Sequence, residues 1–197
     1  VLAAQSPVGV GVAGIELVRI QPGTMRVGVF QPPYPRPPAP GAPARSNQPL
    51  LSAADYARIE AMAKADATPG FVVTLPRAYD IGKFEITQAQ WTRVMGRNPS
   101  LFQGDKVSDD PGRHPVERVT WQDAQAFVAA LNRLEHTRAW RLPTEFEWEY
   151  AARAGGDADI PWSQIREQAI AGYNAYFSTH MVGEKKPNAL GLYDGLG

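Results

Sequence analysis

The sequence predicts an α+β fold built as one domain. Helix-capping signatures recur at widely spaced points, and short β-branched runs lie between them. No strand–helix–strand rhythm of a doubly wound sheet connects the two kinds of segment. The 197 residues suit a single domain with a sizeable core. With 44% hydrophobic and 20% charged residues, the composition is that of an ordinary folded protein.

Residues 1–14 read as an N-terminal tail, with the folded domain expected over residues 15–197. Val1-Leu2-Ala3-Ala4 before Gln5 resembles the end of a secretory signal, with small residues at the cleavage position. That points to a periplasmic or secreted protein. Ile15 to Ile20 is a β-branched strand closed by Pro22-Gly23. Residues 30–49 form a Pro-rich insertion of polyproline character, read as a surface insertion with partner docking as the alternative. Ser52 to Lys64 is a predicted helix, capped by Ser52 with Asp55, that puts Tyr56, Ile59, Met62 and Ala63 on one face. Phe71 to Leu75 is a short strand between Pro69-Gly70 and Pro76, and Tyr79 to Ile86 is extended.

Thr87 opens the next helix, with Gln90 at the capping-box position and Gly96 at its end. Asn98-Pro99-Ser100 makes a turn and Lys106 to Arg113 a polar loop. Thr120 and Asp123 start a helix in which Ala124, Phe127, Val128 and Leu131 recur at i, i+3, i+4 and i+7, one buried stripe. The run Arg141 to Gly155 is the most informative. Pro143 ends an extended segment, and Thr144 with Glu147 forms a capping box. Glu145, Glu147 and Glu149 suit the helix dipole, and Gly155 suits a left-handed exit. Arg141 and Glu147 are expected to form a partly buried ion pair that pins the turn. After Arg153 the chain reads as loop.

Several functions are disfavoured. The 20 basic and 20 acidic residues cancel, so the basic excess of a nucleic-acid binder is missing. No apolar run is long enough to span a bilayer. The chain has no cysteine, hence no disulfide, thiolate nucleophile or cysteine-based metal site. His114, His136 and His180 stand outside any HExxH or GxSxG pattern and read as hydrogen-bonded or solvated. Glu145, Glu147 and Glu149 cannot act as an acid–base set, because i and i+2 diverge on a helix. Gly191 and Gly195 lack the following lysine and helix start of a nucleotide loop. Trp91, Trp121 and Trp148 are expected in the core. Trp162, expected in a loop after Pro161, is a candidate groove residue for stacking on a sugar or peptide.

The Arg141 to Gly155 run also resembles the "RLPTE-EWEYAAR" signature of the formylglycine-generating enzyme, or sulfatase-modifying-factor, family. Further blocks stand in the family's order. They are Gly82 to Gln88, Met95-Gly96 with Asn98-Pro99-Ser100, Pro115 to Trp121 with Asp123-Ala124, Leu131-Asn132, Pro161-Trp162, and Pro187 to Asp194. The resemblance spans most of Ile15 to Gly197 and implies a C-type-lectin-like formylglycine-generating-enzyme fold, irregular, loop-rich and truncated after Gly197. The implied family activity is copper-dependent oxidation, by molecular oxygen, of a sulfatase cysteine to formylglycine on a protein or peptide substrate. The family's redox cysteines lie further along than any matched block. Copper is therefore implied only for a parent protein carrying a C-terminal cysteine pair, and no catalytic or cofactor-binding residue is assigned in this chain. The alternative is a non-catalytic C-type-lectin-like binding or accessory module. Asn174 resembles the asparagine of the family's structural calcium site, although Ala175 to Val182 lacks the Asp and Phe that complete it.

Overall fold

The computed structural model describes residues 3–4, 13–28, 52–67, 70–156, 160, 162–170 and 178–196; the Pro-rich insertion at 30–49 lies outside them. In chain order the strands are β1 (Ala3–Ala4), β2 (Leu17–Ile20), β3 (Gly23–Val27), β4 (Phe71–Leu75), β5 (Tyr79–Gly82) and β6 (Trp140–Arg141). The helices are α1 (Ala53–Ala67), α2 (Gln88–Met95), α3 (Trp121–Leu134), α4 (Glu145–Ala152) and α5 (Trp162–Gln168). This is the α+β, loop-rich architecture expected.

Strand β5 is buried along its length and sits inside an antiparallel sheet of order β2-β5-β1-β6. Val18 pairs with Ile81 and Ile20 with Tyr79, so alternate residues of both strands share one apolar face. On the other face Arg19 bonds the buried Asp80 at 2.9 Å. A second, two-stranded sheet joins β3 to β4, with Met25 opposite Val73. Ala3 and Ala4, assigned by sequence to the tail, pair with β5 on one side and β6 on the other. A two-residue alanine strand carries no alternation, so its pairing rests on backbone hydrogen bonds that the sequence does not advertise.

The capping signals hold. Thr87 with Gln90, Thr120 with Asp123, and Thr144 with Glu147 all make both halves of the capping box. Each cap is worth about 1 kcal/mol. Gly96 and Gly155 take the left-handed conformation, at φ 73° and 74°. Gly155 donates its N–H to the Tyr150 carbonyl at 2.8 Å, closing α4. Ser52 caps α1 through the Asp55 N–H at 3.0 Å.

Two apolar clusters fill the interior. Trp91 stacks on Phe127 at 4.9 Å and packs with Leu131, Trp140, Ile15 and Ile86. Ile20, Leu75, Tyr79, Ile81, Ala151 and Leu192 form the second cluster, between the sheet and α4. The predicted α3 stripe is buried at Phe127, Val128 and Leu131.

Four expectations are corrected. Trp121 is 66% exposed, because it is the first residue of α3 and lies at the edge of the stripe. Trp148 is 42% exposed, because the α4 face it shares with Ala151 and Ala152 borders a cleft. In α1, Tyr56 is buried, but Met62 of the same predicted face is exposed, so that stripe is covered at one end only. The polar Lys106–Arg113 loop contains a 3-10 turn at Pro111–Arg113, started by Asp110 accepting from the Gly112 N–H at 2.9 Å. Another 3-10 turn, Gly104–Lys106, precedes it.

Arg141 and Glu147 form the expected ion pair, with Nη1···Oε2 2.7 Å and Nη2···Oε1 2.5 Å. Burial alone would raise the Glu147 pKa, but its bonds to Arg141 and Thr144 outweigh burial and hold it below the ordinary carboxylate range. The contribution is therefore present above the unfolded-chain value and lost as the pH falls through the lowered folded value. A series of thermal melts should show the stability gap between wild type and Glu147→Gln widest near neutrality and shrinking toward acid. A gap independent of pH would contradict this.

Candidate functional site

A cleft of about 510 Å³ opens between α4, the end of β5 and residues 192–196. Its floor is apolar, with Ile81, Ala151, Ala152 and Leu192, and its walls carry Trp148, Tyr193, Glu85 and Asp194. Helical spacing puts Trp148 there, since Ala151 and Ala152 follow at i+3 and i+4 on the same face.

Asn188 sets the opposite wall. Its Nδ2 donates to the last carbonyls of α4, Ala151 and Ala152, at 2.8 and 3.2 Å. Its Oδ1 accepts from the Leu190 and Leu192 N–H groups at 2.9 and 3.2 Å. One amide thus caps a helix and shapes a loop. The Tyr193 N–H then bonds the Lys83 carbonyl at 3.0 Å, and its ring packs on Phe84 at 4.9 Å. Asp194 follows in a left-handed conformation, φ 56°, and its Oδ2 accepts from the Gly183 N–H at 2.8 Å.

The two carboxylates are electrostatically unusual. Burial pushes the Glu85 carboxyl above the ordinary range, and Asp194 adds to the shift. Burial likewise raises Asp194; its bond from the Gly183 N–H opposes the shift and Glu184 reinforces it. Both therefore hold a proton to higher pH than a solvated carboxyl. The nearby Lys83 ammonium is engaged by Glu16 at 3.0 Å. Among the described residues no group of three His, Cys, Asp or Glu is placed to hold a metal ion.

Trp162 is the first residue of α5 rather than part of a loop; its side chain lies outside the described residues. Asn174 also lies outside them. His114 is buried and hydrogen-bonded through both ring nitrogens. Trp148, Glu85 and Asp194 were not singled out as cleft residues. One signal was available: Glu85 stands between Phe84 and Ile86, a charge set into an apolar run. Glu85 and Asp194 are brought together only by tertiary structure.

The profile of the sulfatase-modifying factor enzyme 1-like domain matches residues 14–197. The chain belongs to the sulfatase-modifying-factor, or formylglycine-generating-enzyme, family. It is 32% identical over 175 residues to "Chaperone protein LppX" of Paenibacillus barcinonensis, covering 62% of this chain and 60% of that protein. It is 33% identical over 151 residues to the formylglycine-generating enzyme of Mycobacterium tuberculosis (strain ATCC 25618 / H37Rv), covering 68% and 47%. Among solved structures, PvdO from Pseudomonas aeruginosa shares the fold, with a TM-score of 0.61 at 18% identity over 98% of this chain and 71% of that one. The chain spans roughly half the length of these two relatives, 60% and 47%.

An acid that binds its proton more tightly in the folded state makes stability fall as pH rises from its unfolded value through its folded one. Glu85→Gln should therefore raise the melting temperature at pH 7 and flatten its decline above acid pH. An unchanged or lower melting temperature at neutrality would contradict a Glu85 carboxyl whose charged form is disfavoured by desolvation.

Proposed function

We propose that this chain serves the sulfatase-modifying-factor fold as a polypeptide-binding scaffold, contributing recognition and no redox chemistry of its own. One observation carries the reading. An open, aromatic-walled cleft is present in a chain of 197 residues that contains no cysteine. Apolar clefts with a few placed polar groups favour side chains of an extended ligand, and an exposed tryptophan supplies large contact area at low entropic cost. The name of the relative of which the chain covers more, a chaperone protein, agrees with binding of a polypeptide.

A second reading is favoured by the similarity to a formylglycine-generating enzyme. In it, these residues form part of a longer oxidase that converts a sulfatase cysteine to formylglycine. Copper for that chemistry needs soft thiolate ligands, and the residues present here do not fit it. No step through copper is derived for this chain.

The test uses a cysteine-containing sulfatase peptide with copper and oxygen. Intact-mass analysis should show no aldehyde product, while calorimetry shows saturable binding that Trp148→Ala weakens about tenfold or more, on the scale of a lost aromatic anchor. Formylglycine formation would replace this reading with the oxidase. Binding unaffected by Trp148→Ala would place recognition elsewhere.

A further inference from the structure

The polar loop that precedes His114 and the segment at 178–184 meet around one imidazole. His114 is 1% exposed, and its two nitrogens bond different segments. Nε2 lies 2.6 Å from Asp109 Oδ1, and Nδ1 lies 2.9 Å from Thr179 Oγ1. The carboxylate demands a proton on Nε2. A neutral ring then accepts the Thr179 hydroxyl proton at Nδ1, whereas a protonated ring donates to the hydroxyl oxygen. Either state keeps both bonds. Next to this contact the Val182 N–H bonds the Arg113 carbonyl at 3.0 Å, so the 178–184 segment is held at two points.

The following residue is Gly183. It has φ 79°, and a Cβ there would lie 2.7 Å from the Phe84 ring. The glycine is therefore seated closely against the start of the cleft wall, where its N–H reaches Asp194 Oδ2 at 2.8 Å. We propose that His114 is a positioning residue for the cleft: held by Asp109, it pins Thr179 so that the Gly183 N–H meets the Asp194 carboxylate. The contact runs through four successive links, each a hydrogen bond or a short stretch of chain. Asp194 needs such support, because its own backbone is left-handed, a conformation that costs a non-glycine residue of the order of 1 kcal/mol. The assignment rests on the cleft being the binding site for its functional meaning, but the coupling itself can be measured without any ligand.

Thr179→Val removes the hydroxyl and keeps the side-chain shape, leaving the bond between the buried His114 and Asp109 in place. The expected result is faster hydrogen exchange at the Gly183 amide, about tenfold for one lost bond of ordinary strength, with core amides of α3 unchanged. The Asp194 carboxyl should also titrate at higher pH by carbon-detected NMR, because the bond that opposes its upward shift is weakened. Thr179→Ser should restore both. Wild-type exchange at Gly183 and wild-type titration of Asp194 in Thr179→Val would overturn the proposal. So would Thr179→Ser behaving like Thr179→Val. Because these readouts need no polypeptide, failure of peptide binding would sink the binding function and leave the His114 assignment standing.

Discussion

The arrangement around the cleft depends on one carboxylate. Glu147 accepts from both terminal nitrogens of Arg141 and from the backbone N–H and hydroxyl of Thr144. Its own carbonyl accepts the Tyr79 hydroxyl at 2.5 Å. A strand end, a helix start and the central strand therefore converge on a single residue. A fork-to-fork guanidinium–carboxylate contact fixes direction as well as distance. This anchors the first turn of α4, and helix geometry then carries Trp148, Ala151 and Ala152 to the cleft one turn further along.

Tyr150 adds a steric counterpart. A Cβ on Gly23 would fall 2.0 Å from its hydroxyl oxygen, and one on Gly155 would fall 3.0 Å away. The ring is lodged between the start of β3 and the end of α4, so both glycines are needed for the fit. Arg153 continues the same junction, bonding the Arg26 carbonyl of β3 at 3.1 Å and Glu149 at 2.9 Å. The second sheet is thus tied to α4 by close approach and by charge, while its outer residues Phe71 and Val72 remain exposed.

Legibility in the sequence followed the range of the interaction. Capping boxes, the α3 stripe and the Arg141–Glu147 pair involve residues within about two helical turns of each other, and all were readable. Of the three tryptophans expected in the core, Trp91 is buried there, whereas Trp121 and Trp148 are exposed. Composition says that an indole favours burial, but Trp91 achieves it only because Phe127 arrives from another helix. Its Nε1 has no hydrogen-bond partner among the described residues, whereas the Trp140 Nε1 donates to Glu135 at 2.7 Å. The cleft was illegible for the same reason. Glu85 is nearly silent until Asp194 is folded beside it, and no local pattern relates the two positions.

That juxtaposition is where the structure departs from its own economy. Three other acids drawn into the fold are paired: Asp80 by Arg19, Glu147 by Arg141, and Glu117 by the Leu101 and Phe102 N–H groups. At the cleft, burial raises the proton affinity of Glu85 and Asp194 alike, and the Gly183 N–H offsets only part of this for Asp194. Folding alone gains nothing from two carboxyls held in this way, since desolvation disfavours their charged forms. Asn188 and Asp194 shape the wall through their backbone bonds, and Trp148 stands exposed on it.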